Sequence, residues 1–73
     1  MRYYQVEFGK VREDGLLHKS LEKFNSYFEL DEAIKEFNRK KHLLKNRKDM
    51  FVAIESYSTE FDIFAGTVLF WKS

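Results

Sequence analysis

The stretch Tyr3–Gly15 reads "YYQVEFGKVREDG" and decides the fold. Its side chains alternate between two sets up to Val11, and a period of two is typical of a half-buried β-strand. The more apolar set should face the core and consists of Tyr4, Val6 and Phe8. The sequence therefore predicts a strand over Tyr3–Val11, with Tyr3 on the opposite face.

A tight turn follows this strand. The turn, Arg12–Gly15, ends in Asp-Gly, a strong hairpin signal because glycine accepts the positive φ that such turns require. We expect the chain to return antiparallel over Leu16–Phe24. Leu17 and Leu21 should point inward, and the weaker alternation here is typical of an edge strand.

A helix is predicted in "LDEAIKEFNRKKHLLKN", after a connector over Asn25–Glu29. Asp31 is the expected N-cap, and Asn46 is the expected left-handed residue that ends the helix. Lys41 falls in the apolar stripe, so it must extend beyond the sheet edge or reach back to solvent. The stripe itself consists of Leu30, Ala33, Ile34, Phe37 and Leu44.

Two more strands are predicted after the helix. Met50–Tyr57 alternates again, and Ser58–Asp62 then turns the chain. Ile63–Trp71 is the most apolar strand, so we expect it in the centre of the sheet. Gly66 within it indicates a bulge or a close contact. The side of the first of these strands that faces the helix consists of Met50, Val52 and Ile54.

This order of elements, β-β-α-β-β, predicts an α+β fold: a four-stranded, mostly antiparallel sheet with one helix packed on one face. The 73 residues form a single domain, residues 1–73, whose bulk comes from eight Phe, four Tyr and one Trp. Cysteine is absent, which fits a reducing compartment. Since the sequence also lacks an apolar run of membrane-spanning length and a signal peptide, we expect a cytoplasmic protein without membrane contact.

The sequence contains no motif for catalysis, cofactor binding or metal binding. Its three glycines are isolated, so they form no phosphate-binding loop, and no serine lies in a nucleophile motif. His18 and His42 lack metal-ligand spacing and are interpreted as surface residues. We therefore expect a protein that is not an enzyme and that has no cofactor.

The basic stretch Arg39–Lys48, "RKKHLLKNRK", is the main functional signal. Residues 35–48 carry seven basic residues and one acidic residue, whereas the whole chain has a net charge of only +1. Such a cluster can contact an acidic protein surface or a phosphate backbone, or it can simply complement the helix dipole. The candidate binding residues in it are Arg39, Lys40, Lys45, Arg47 and Lys48.

The sheet face away from the helix is the second candidate surface. One helix covers only one face, so aromatic side chains on the other should pack on each other, meet solvent or meet a partner. We place the candidate binding residues Tyr3, Phe51, Tyr57 and Trp71 on this face, beside Ala53 and Thr67.

Together these features favour a non-catalytic protein-interaction module that binds a partner protein through the aromatic sheet face, the basic helix end, or both. In size, compactness and lack of catalytic motifs, the chain is similar to the small proteins that phages and mobile elements use to inhibit host enzymes. That similarity implies an inhibitor or adaptor of a host protein. Two alternatives stay open: a nucleic-acid-binding domain that uses Arg39–Lys48, and a structural homodimer without a ligand.

Overall fold

The computed structural model describes residues 1–19 and 25–73. The strands of this part form one antiparallel sheet. One helix packs on the sheet, so the predicted α+β fold is confirmed. The elements are β1 (Arg2–Val11), β2 (Leu17–Lys19), β3 (Ser26–Tyr27), α1 (Leu30–Leu44), β4 (Met50–Ser58) and β5 (Phe64–Lys72). The strand order in the sheet is β2-β1-β4-β5, and β3 also pairs with β1.

The first hairpin has the predicted turn, but its return strand differs from the expectation. Gly15, with a φ of 84°, donates its backbone N–H to the carbonyl oxygen of Arg12 at 2.9 Å. Leu17 pairs with Val11 on the face away from the helix and is 41% exposed, so the prediction that it points into the core is wrong. Leu21 lies outside the described residues. The predicted connector contains the short β3.

Gly9 allows β2 to pass close over the sheet. A Cβ atom at Gly9 would lie 2.9 Å from the Cα of Lys19 and would overlap the carbonyl oxygen of His18. Gly9 pairs with Phe51, so this missing side chain would point to the face away from the helix. The backbone of β2 therefore lies against Gly9 on that face.

The helix begins and ends differently from the two predicted caps. Glu29 is the N-cap, and it forms no side-chain cap hydrogen bond with the described residues. The predicted cap, Asp31, lies in the first turn, where its charge still favours the positive end of the helix dipole. Asn46 is not left-handed: the C-cap Lys45 keeps a helical φ of −61°, and the positive φ comes later, at Asp49 (58°). Both cap predictions are therefore wrong.

The apolar stripe of α1 packs on β1 and β4, as predicted. Lys41 is exposed despite its place in the stripe. Around the core, side chains such as Tyr4, Phe8 and Ile34 are partly buried. The buried residues of this core are Val6, Ala33, Phe37, Leu44, Met50, Val52 and Ile54.

The last strand, β5, is an edge strand, so the prediction that it lies in the sheet centre is wrong. The centre is formed by β1 and β4, and α1 packs on these two strands. Two residues of β5, Ala65 and Val68, are skipped in the pairing with β4. Gly66 lies between them with a φ of 136°, so the predicted bulge at this glycine is confirmed.

The bulge at Val68 exchanges the two faces of β5. Thr67 pairs with Glu55 on the face away from the helix, but the next paired residue, Leu69, lies opposite Ile54 on the helix side. Trp71 therefore faces the helix and packs against the core. Its predicted place on the opposite face is wrong, because one extra residue shifts the alternation by one position.

Candidate functional site

The sheet face away from the helix, or outer face, carries Tyr3, Phe51, Ala53 and Tyr57. The centre of this face is shielded from solvent. Phe51 and Ala53 have no exposed surface, and the Phe51 ring stacks on Phe70 with a centroid distance of 6.0 Å. Beside them, the buried carboxylate of Glu7 pairs with Lys19 at 2.8 Å. Phe51 therefore packs on another aromatic side chain of this face, which is one of the three arrangements expected from the sequence.

An aromatic cluster occupies the end of the outer face near Ser58. Tyr3 and Tyr57 are half-buried and stack on each other, with ring centroids 5.2 Å apart. Phe28 contacts Tyr3 edge-on at 6.5 Å, and Phe64 contacts Tyr57 edge-on at 5.8 Å. The two candidate tyrosines thus pack on each other, and the more exposed rings of the cluster are Phe28 and Phe64.

The pKa values of both tyrosine hydroxyls are raised, and each hydroxyl donates a hydrogen bond to a carboxylate. Tyr3 donates to the carboxylate of Asp62, and this bond is the main cause that raises the pKa of Tyr3 to about 12. Tyr57 donates to Glu7 at 3.4 Å. Burial first and the Glu7 charge second raise the pKa of Tyr57. These phenols therefore contribute hydrogen-bond donors, not charge, at neutral pH.

The predicted basic cluster divides into two groups. Arg39 pairs with Glu36, Nε to Oε2 at 3.1 Å, and the ammonium of Lys40 lies 4.1 Å from the centroid of the Phe8 ring. These two cations are engaged within the domain. The others form no ion pair with residues 1–19 or 25–73 and are exposed. They are called the basic end: Lys41, Lys45, Arg47 and Lys48.

A row of exposed apolar side chains along β5 was missed by the sequence reasoning. Phe64 is 54% exposed, Leu69 40% and Phe70 48%. The turn before β5 adds Phe61 and Ile63, which are also exposed. The signal was present in the sequence, since this is the most apolar strand, but its composition was interpreted as evidence of a central position.

The basic end lies beside the C-terminal end of β5. Ser73 donates its backbone N–H to the carbonyl oxygen of Met50 at 2.9 Å. The ammonium of Lys72 lies 3.6 Å from the carboxylate of Asp49. Arg47 and Lys48 directly precede Asp49 and Met50, so the loop that carries them leads into the end of β4 that pairs with the C-terminal end of β5.

Among residues 1–19 and 25–73, no three histidine or acidic side chains are arranged to hold a metal ion. His18 and His42 are both exposed. The described part of the chain also has no helix that is long and apolar enough to cross a membrane.

Comparisons with known proteins assign no family to the chain. No family model matches it, and neither a curated protein nor a solved structure is significantly similar. Its function must therefore be inferred from the geometry of the surface formed by β5 and the basic end.

Proposed function

We propose that the chain is a non-catalytic protein-interaction module that binds a partner protein through the exposed side of β5 and the basic end. The observation that carries the proposal is the apolar row on β5. A long edge strand normally carries charges that prevent it from pairing with other chains. In β5 the only charged residue is Lys72, at its end, and exposed apolar patches of this kind mark interaction sites.

The basic end supports the same proposal from its position. The loop with Lys45, Arg47 and Lys48 leads into β4 at the end where β5 terminates, and these cations form no ion pair with a carboxylate of the described residues. Charges at the rim of an interface attract an oppositely charged partner and orient it, while apolar contacts supply most of the affinity. The partner surface should therefore combine apolar and acidic side chains.

The biological role that we propose rests on the similarity in size and compactness to small proteins of phages and mobile elements. A compact interaction module of this size suits an inhibitor or adaptor of a host protein, of the kind found in phages and mobile elements. We place that role in the cytoplasm, as the sequence led us to expect. The aromatic cluster with Phe28 and Phe64 extends the proposed surface along the outer face.

The test is affinity capture from the native host with matched variants. A double variant, Phe64→Ser with Leu69→Ser, removes two exposed apolar side chains of β5. The control, Leu43→Ser, removes an exposed apolar side chain that lies on α1 and not on β5. We expect the wild type and the control to retain one and the same partner, identified by mass spectrometry, and the β5 variant to lose it. Equal capture by all three proteins would contradict the proposal.

Two other functions are compatible with parts of this surface. Nucleic-acid binding is favoured by the exposed cations of the basic end, since such cations neutralise phosphates. The absorbance ratio of the purified protein at 260 and 280 nm, before and after a high-salt wash, distinguishes this alternative. A structural homodimer is favoured by the apolar edge strand, and analytical ultracentrifugation detects it directly.

A further inference from the structure

At the C-terminal end of β5, some backbone N–H and C=O groups are not paired with any strand of the described residues. In an antiparallel pair, alternate residues direct their N–H and C=O groups toward the partner strand. Ser73 donates to Met50 on β4, and the register places Lys72 opposite Phe51 and Phe70 opposite Ala53. The N–H and C=O groups of Phe70 and Lys72 therefore point away from β4, toward the open edge of the sheet.

The side chains of this segment offer apolar contacts on both faces of the sheet. Phe70 lies on the outer face and Leu69 on the helix side, and both are substantially exposed. Leu69–Lys72 also follows the last bulge, so its ladder with β4 is regular. An additional strand beside it would form main-chain hydrogen bonds, and its own side chains would alternate onto Phe70 and Leu69.

The charge of the segment decides which kind of strand fits. Lys72 lies at the end of β5 and contacts Asp49, which directly follows Arg47 and Lys48 in the chain. A strand added there would come within about a Debye length of these cations, roughly 8–10 Å at physiological salt. Acidic side chains on the added strand would therefore be attracted, and basic ones would be repelled.

A second copy of the chain fits this edge less well. A two-fold symmetric pair over Leu69–Lys72 would bring two basic ends together. A pair over the whole of β5 would have to cross the bulges at Ala65 and Val68 in both copies, and bulges interrupt the hydrogen-bond ladder. A nucleic acid would meet the cations but would leave the N–H and C=O groups of Phe70 and Lys72 without strand-like partners.

We infer that the partner adds an extended segment, with acidic residues alternating with apolar ones, as a new strand beside Leu69–Lys72. This inference rests on the proposed function and names the chemistry of the partner. The added strand completes the hydrogen bonds of the β5 edge, and the basic end selects for its negative charge.

The probe for a test is a synthetic peptide of about seven residues that alternates glutamate and valine, long enough to cover the regular segment. The control peptide has lysine in place of glutamate. Backbone amide signals of the isotope-labelled chain report where each peptide binds. We expect the acidic peptide to shift and protect the amides of Phe70 and Lys72, and to bind about tenfold more weakly when salt rises from about 50 to 500 mM. The lysine peptide should not bind.

Two variants of Lys72 separate the contribution of its backbone N–H to peptide binding from the contribution of its side-chain charge. Lys72→Pro removes an outward N–H, which an edge strand tolerates, whereas Lys72→Ala removes only the side chain. We expect Lys72→Ala to bind the acidic peptide within a few-fold of the wild type, and Lys72→Pro to lose binding. Equal binding by the two variants, equal binding of both peptides, or shifts that map away from Phe70 and Lys72 would overturn the inference. Protection of these amides at high protein concentration without peptide would also overturn it, in favour of a second copy.

The native partner distinguishes this inference from the proposed function. If the partner captured from the host is retained by Lys72→Pro as well as by Lys72→Ala, the added strand is wrong, although the protein-binding function stands. If neither the wild type nor Leu43→Ser captures a partner, the proposed function itself fails.

Discussion

At the level of single residues, Phe37 connects the helix to both central strands. Its ring is 3% exposed and lies in the core with Val6, Val52 and Ile54. Phe37→Ala should lower the free energy of unfolding by about 3–5 kcal/mol, because it removes buried apolar surface and leaves a cavity. That loss is a large part of the stability of a domain of this size. Urea unfolding measures it, and an unchanged midpoint would mean that another face of α1 contacts the sheet.

The hydrogen bond from Tyr3 to Asp62 should appear in the titration of the tyrosines. The pKa of Tyr3 is raised to about 12, so the stability that this bond contributes is fully present below the ordinary tyrosine pKa of about 10. It is lost as the pH rises from about 10 to 12, because the ionised phenol can no longer donate. Absorbance titration should show that Tyr3→Phe removes the transition near pH 12.

A second variant identifies the cause of this shift. Asp62→Asn keeps a side chain that tolerates the positive φ of 51° at this position, but it removes the charge. It should lower the pKa of Tyr3 toward the ordinary value. If the titration of Asp62→Asn is the same as that of the wild type, the pair does not form in solution.

At the level of secondary-structure elements, alternation predicted the faces of β1 and β4 correctly. In both strands, the residues expected to meet the helix do so, including Tyr4, Phe8 and Val52. The pattern is reliable there because the long ladder between these strands runs without a bulge. The stacking of Phe51 on Phe70 could not be predicted, because the face on which Phe70 lies depends on the bulge at Val68.

The same pattern failed in β5 for two physical reasons. The extra residue Val68 exchanges the faces, which placed Trp71 wrongly, and no residue type marks a bulge unambiguously. Apolar composition indicates that a strand is to be buried, but it does not say whether a neighbouring strand or another molecule buries it. The candidate surface on β5 was therefore hidden by the assumption that the most apolar strand lies in the centre.

The passage of β2 over the outer face makes Gly9 sensitive to substitution. Gly9→Ala would place a methyl group against the backbone of His18 and Lys19, which cannot move aside as a flexible side chain can. We expect a loss of about 1–3 kcal/mol, the usual cost of overpacking. The control Lys10→Ala changes an exposed neighbour and should have little effect. Thermal unfolding of both variants measures the difference, and equal stability would contradict the described position of β2.

At the level of the whole molecule, charge is separated along the chain. Residues 35–48 are strongly basic, whereas residues 49–73 carry one basic and four acidic residues. The sequence locates this basic charge, because residues 35–48 carry seven basic residues and one acidic residue. It could not separate Arg39 and Lys40, which contact Glu36 and Phe8, from the exposed cations.

Reversing Lys45, Arg47 and Lys48 to Glu should leave the fold intact. These side chains are exposed and form no ion pair with the described residues, so the cost is at most about 1 kcal/mol each from the helix dipole. Binding to the partner should weaken at low salt and should no longer weaken further as salt rises, because salt screens the new repulsion from an acidic partner. Circular dichroism checks the fold, and partner binding across a salt series checks the charge effect. If binding does not change, the cations only complement the end of the helix.

The placement of β5 as an open edge strand underlies both proposals, and amide hydrogen exchange of the free chain at low concentration tests it most directly. Leu69 and Trp71 direct their N–H groups toward β4, so their amides should exchange slowly. Phe70 and Lys72 direct theirs to solvent, so their amides should exchange as fast as those of exposed turns. Slow exchange at Phe70 and Lys72 in the free monomer would contradict the open edge, because it would show that another strand already pairs with β5.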